Sequence, residues 1–85
     1  MHDNTYVRLQ FTRSSRRHKI GRAHAEHVIG SVIGIQGGPN DRGETTVEWI
    51  GLDNRGVELE IGAVVVDGGE TLLILHVMPT ALRRK

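Results

Sequence analysis

Two places in the sequence hold side chains able to work on a phosphate or move a proton. Arg16, Arg17, His18 and Lys19 are consecutive, inside a stretch "RSSRRHKIGRAHAEHVIG" (13–30) that holds five basic residues and three of the chain's five histidines. His76 stands alone as the titratable group of "LLILHVM". Histidine changes charge near neutral pH, which suits it to general acid or base work. Arginine forks onto phosphate oxygens, and lysine adds a compact point charge. Each place also has a plainer reading. The basic run can be a solvated helix face, and His76 a hydrogen-bonded histidine of the core. Neighbouring cations with no nearby acid repel one another, and a phosphate backbone relieves that cost by releasing counterions.

The elements that must position these groups can be read from the hydrophobic pattern. "TYVRLQF" (5–11) alternates as a half-buried strand. Ser14 or Ser15 is suited to cap a short helix over 14–20, which Gly21 would end. A second helix is expected over 22–33, with Ala25, Val28, Ile29, Val32 and Ile33 as its apolar stripe. "QGGPNDRG" (36–43) reads as loop. Three strands follow, 44–52, 57–66 and 71–78, joined by the turns "DNRG" and "DGGE". Strict alternation puts His76 on one face with Leu72, Ile74 and Met78, and Leu73, Leu75 and Val77 on the other. The expected class is α+β: an N-terminal strand, one or two helices, then a three-stranded antiparallel meander, with the helices packed on one sheet face. Glu58 and Glu60 fall on the face left open, as a solvated surface or a dock for a basic partner segment.

Charge is uneven along the chain. Residues 1–24 carry six Lys/Arg against the single acid Asp3, residues 25–82 carry two arginines against nine acids, and residues 83–85 are all basic. The net charge of +1 conceals this asymmetry. Eighty-five residues suit one small domain, 1–85. There is no cysteine, which excludes disulfide and thiol chemistry and suits a reducing cytoplasm. No apolar run approaches a membrane span, so no membrane partner is expected. His24 and His27 are spaced i, i+3, but no HExxH motif or cysteine accompanies them, so no metal or other cofactor is expected. A P-loop, a dinucleotide fingerprint and a Ser-His-Asp arrangement are likewise missing.

Two segments carry a family resemblance. "RRHKIGRAHAEHVI" (16–29) is similar to a basic-His-Gly turn followed by an amphipathic helix. "WIGLDNRGVELEIGAVVV…LLILHVMP" (49–79) looks like a hairpin and closing strand of the same family. The chain thus resembles BrnT-like toxins of bacterial type II toxin–antitoxin modules, within the RelE/ParE superfamily. Lys19 departs from that pattern, standing where a glycine is common, and the chain ends at Lys85 without the further helix that many relatives carry. The resemblance implies a cytoplasmic endoribonuclease, neutralised by a DNA-binding antitoxin of ribbon-helix-helix or helix-turn-helix type and acting on RNA, ribosome-associated mRNA included. On that reading His76, His18 and Arg17 are the catalytic groups, and either histidine can serve as base or acid. Arg13, Arg16, Lys19, Arg22, Arg83 and Arg84 hold RNA, while Glu58 and Glu60 meet the partner. The alternative is a non-catalytic module that binds nucleic acid or protein.

Overall fold

The computed structural model of the chain describes residues 8–83, Arg83 through its backbone alone. The expected strand residues 5–7, the Arg83 side chain and Arg84 lie outside the described residues. The elements are β1 (Arg8–Phe11), α1 (Arg22–Ser31), β2 (Ile35–Pro39), β3 (Thr45–Leu52), β4 (Glu58–Val66) and β5 (Thr71–Pro79).

This arrangement corrects the expected class in three respects. The sheet has five strands rather than four, in the order β1-β5-β4-β3-β2. It is mixed, because β1 pairs parallel to β5, with Leu9 opposite Leu72 and Phe11 opposite Ile74. One α-helix stands among the described residues, not a helix pair. The helix expected over 14–20 is a 3-10 turn at Ser14–Arg16. Hydroxyls at this turn tie it to β5: Thr12 Oγ1 donates to the Ile74 carbonyl at 2.8 Å and Ser14 Oγ to the Leu75 carbonyl at 2.8 Å. Thr12 Oγ1 also accepts the Ser15 N–H at 3.2 Å, and Ser15 Oγ donates to the Thr12 carbonyl at 2.6 Å, local bonds that hold a tight turn in place of the longer helix expected. Lys19 then turns the chain with φ 57, the left-handed conformation that glycine adopts without steric cost.

The extra strand is β2, in a stretch read as loop. Ile35 lies opposite Glu48 and Gln36 opposite Val47, and the ladder shifts before Pro39. Its glycines and proline depress strand propensity, but β3 supplies the partner backbone. A short, bulged edge strand ending in proline is also protected against further strand pairing.

One face of the sheet is the core. Leu59, Ile61 and Ala63 of β4, Val47 and Trp49 of β3, and Leu72, Ile74 and Val77 of β5 are buried with Ala25, Val28 and Ile29 of α1. The helix ends at Ser31, two residues short of expectation, and Val32 is already extended at φ −126, ψ 160. Gly30, Gly34 and the β-branched pair Val32-Ile33 disfavour another turn. Ile33 leaves the stripe and is 72% exposed. Close approach is needed where the helix exit crosses β3. A Cβ on Gly34 would stand 2.7 Å from the Trp49 ring, and one on Gly51 would stand 2.8 Å from Val32.

Candidate active site

The position of His76 depends on a bulge. Gly62 pairs with His76, but the next residue, Ala63, pairs with Ile74, which leaves Leu75 as an extra residue on β5. A bulge of this kind reverses the alternation beyond it. Leu72 and Ile74 therefore face the core, while His76 and Met78 face the opposite side with Glu60 and Gly62. The expected grouping of His76 with Leu72 and Ile74 is corrected accordingly. The carbonyls of Ile74 and Leu75 are held by the Thr12 and Ser14 hydroxyls. The basic turn is thereby tied to the residue that precedes His76.

His76 is not a core histidine: its side chain is 41% exposed. Its imidazole lies over Gly62, where a Cβ would come 2.5 Å from the ring. Nε2 is 3.1 Å from Glu60 Oε2, on a carboxylate whose side chain is 13% exposed. An ionised carboxylate only accepts hydrogen bonds. Nε2 therefore carries the proton in the neutral ring, and Nδ1 keeps a lone pair. A carboxylate fixing one nitrogen so that the other can take a proton is the orienting arrangement of many general bases. Glycine at 62 provides the space, and Glu60 sets the tautomer.

The cations fall into two groups. Arg22 is engaged: its Nε donates to Glu26 Oε2 at 2.7 Å, and its guanidinium lies 5.0 Å from the centre of the Phe11 ring. Arg16 Nη2 donates to the Phe11 carbonyl at 3.3 Å. The Arg13, Arg17 and Lys19 side chains are exposed, and no hydrogen bond or ion pair holds them among the described residues. His18, half-buried, has no such side-chain bond either. The structure brings His76 together with Glu60, and no hydrogen bond or ion pair joins His76 to Arg17 or His18 among the described residues. Glu58, on the same face as Glu60, accepts a hydrogen bond from Thr80 Oγ1 at 2.6 Å.

A second polar cluster was not singled out from the sequence. Asp53 opens the β3–β4 turn, and its side chain is fully buried. Oδ1 accepts the backbone N–H groups of Arg55 at 2.8 Å and Val57 at 3.0 Å. Oδ2 accepts from Arg55 Nε at 2.9 Å and Nη2 at 2.6 Å. His24 of α1 joins from the other side, its Nδ1 being 2.6 Å from Asn54 Oδ1 and 3.8 Å from Asp53 Oδ2. The signal in the sequence was "DNRG", where an aspartate can bond the backbone two residues on and Gly56 takes the positive φ of 84. Burial pushes the Asp53 carboxyl up, but the Arg55 side chain, the Val57 and Arg55 N–H groups and the Arg55 charge outweigh it, holding the pKa at about 2 against an ordinary 3.8. A carboxyl with a depressed folded-state pKa stabilises the fold above its unfolded value and loses that contribution as pH falls through the folded one. The thermal midpoint should therefore drop between about pH 4 and pH 2. Asp53→Asn should start lower and flatten that drop. Identical pH profiles for the two proteins across this window would remove Asp53 from the account.

Among the described residues no helix is long and apolar enough to cross a membrane. No family model, no curated protein and no solved structure matches the chain.

Proposed function

We propose that this chain is a metal-independent endoribonuclease of the toxin kind, neutralised by a DNA-binding antitoxin. The observation that carries the reading is the His76–Glu60 pair on the sheet face that α1 leaves uncovered, one residue from the bulge to which the basic turn is tied. The sequence resemblance described above points the same way. On this reading His76 Nδ1 takes the proton from a ribose 2′-hydroxyl. The 2′ oxygen attacks the adjacent phosphorus, and the bond from phosphorus to the 5′ oxygen breaks. A proton passes to the departing 5′ oxygen, the role given to His18, and a 2′,3′-cyclic phosphate and a 5′-hydroxyl remain. Arg17, beside the cations Arg13 and Lys19, neutralises charge on the phosphorane. Arg83 and Arg84 would extend the contact to the RNA backbone.

Two properties of the reaction follow. Cleavage of an RNA oligonucleotide should persist in EDTA and leave cyclic phosphate ends. Replacing the ribose at the cut site by 2′-deoxyribose should abolish cleavage there, since the nucleophile is gone. A deoxy substrate cut at the same rate, or activity that vanishes with chelation, would end this mechanism. That no hydrogen bond or ion pair joins His76 to Arg13, Arg17 or Lys19 among the described residues favours one other reading, a module that holds nucleic acid at the basic turn and cuts nothing. It predicts salt-dependent RNA binding through Arg13, Arg17 and Lys19, without product.

A further inference from the structure

The face that carries His76 changes character across the sheet. Toward β1 lie Arg8 and Gln10, and beyond them the basic turn. Toward β2 the face is apolar and acidic. Ile35 is 71% exposed, Leu52 57% and Ile50 42%. Each stands directly across a strand pair from a glutamate: Ile35 from Glu48, Ile50 from Glu60, Leu52 from Glu58. No lysine or arginine lies on β2, β3 or β4. Three exposed aliphatic side chains on neighbouring strands are more than scattered surface residues, and such patches mark interaction sites. Polyanionic RNA is repelled by this half of the face. A segment with an apolar row flanked by cations is complementary to it.

We infer that the β2–β3–β4 half of the open face is a docking surface for a basic amphipathic helix of a partner protein, separate from the RNA-binding edge. A helix rather than a strand is required, because β3 and β4 already have neighbours on both sides and only β2 has a free edge, which Pro39 closes. A helix lying on the face presents apolar residues at i, i+4 and i+7 to Ile35, Ile50 and Leu52, with lysines or arginines beside them for Glu48 and Glu58. Glu60 lies at the boundary with His76, so a docked helix would also shield the candidate base. That last consequence rests on the ribonuclease reading, and the docking itself does not.

The test uses the full chain and three synthetic helical peptides: Leu row with Lys flanks, Leu row with Glu flanks, and Ser row with Lys flanks. Titration calorimetry should show the Leu/Lys peptide binding at least tenfold more tightly than either of the others. Leu52→Ser and Glu48→Lys should each weaken it at least tenfold, and Glu48→Lys should improve binding of the Leu/Glu peptide. Equal binding of the Leu/Lys and Ser/Lys peptides, or indifference to both substitutions, overturns the proposal. So does concentration-dependent dimerisation that Leu52→Ser abolishes, since a second copy would then cover the face. RNA cleavage by the two variants is measured alongside and should be unchanged. An inactive wild type with intact peptide binding would remove the ribonuclease reading and leave the docking surface.

Discussion

His76→Ala should reduce RNA cleavage by about 10²–10⁴, the usual loss when a positioned acid or base is removed, while the fold survives. The second half of that expectation comes from exposure. A side chain 41% open to solvent, on the face away from the core, leaves no large cavity when it is cut back. The cost is the hydrogen bond to the largely buried Glu60, about 1.5–3 kcal/mol, which lowers stability without abolishing the fold. His76→Ala differs in this from any residue of the buried cluster, where loss of activity and loss of fold go together. Gly62→Ala is the companion variant. Its new methyl would sit 2.5 Å from the imidazole Cε1 and 2.9 Å from Nδ1, too close for the ring to stay in place, and would drive it off Glu60. Cleavage should fall steeply, with the catalytic constant affected more than KM, because RNA is held at the basic edge and not at Gly62. Purified variants assayed beside their thermal unfolding decide the matter. If His76→Ala cleaves as the wild type does, or unfolds, the assignment of His76 as base is wrong.

How much of this was legible in the sequence differs from element to element, for physical reasons. The runs that became β3, β4 and β5 were readable because their apolar residues repeat with a strand's period and glycine-bearing turns separate them. β2 was not, because "IQGGP" has low strand propensity and exists by pairing with Thr45–Val47 and Glu48. The parallel pairing of β1 and β5 joins residues more than sixty positions apart, and no local pattern encodes that. The face of His76 was misread because a single unpaired residue, Leu75, shifts the register. Nothing in "LLILHVM" marks the bulge. The residues that meet there are distant in sequence: Gly62 lies across the ladder, and the Thr12 and Ser14 hydroxyls bond the carbonyls of Ile74 and Leu75. Of the candidate site, the residue types were visible, and so were the glutamates of β4. The Glu60–His76 hydrogen bond was not, since it requires the bulge. Asp53 sits in a turn that was recognised, but burial of its carboxylate depends on α1 and His24 closing over it.

The helix offers the sharpest contrast between pattern and packing, because two isoleucines of one apparent stripe have opposite fates. By period alone Ile29 and Ile33 are equivalent, four positions apart on one helical face. In the fold Ile29 is 4% exposed within the core cluster, and Ile33, past the last helical residue, is 72% exposed. Truncating a buried isoleucine to alanine costs about 2–5 kcal/mol in transfer energy and residual cavity. An 85-residue domain has roughly 4–13 kcal/mol of total stability at typical values per residue. Ile29→Ala should therefore remove a large share of it and lower the thermal midpoint by about 10 °C or more. Ile33→Ala should change stability by less than about 0.5 kcal/mol. It should also leave RNA cleavage unaltered, because Ile33 lies outside the candidate site and is exposed. Denaturant melts of the two variants give the comparison directly. Equal losses would mean that the helix continues through Ile33 and buries it, and the early exit at Val32, with the strand β2 that follows from it, would have to be abandoned.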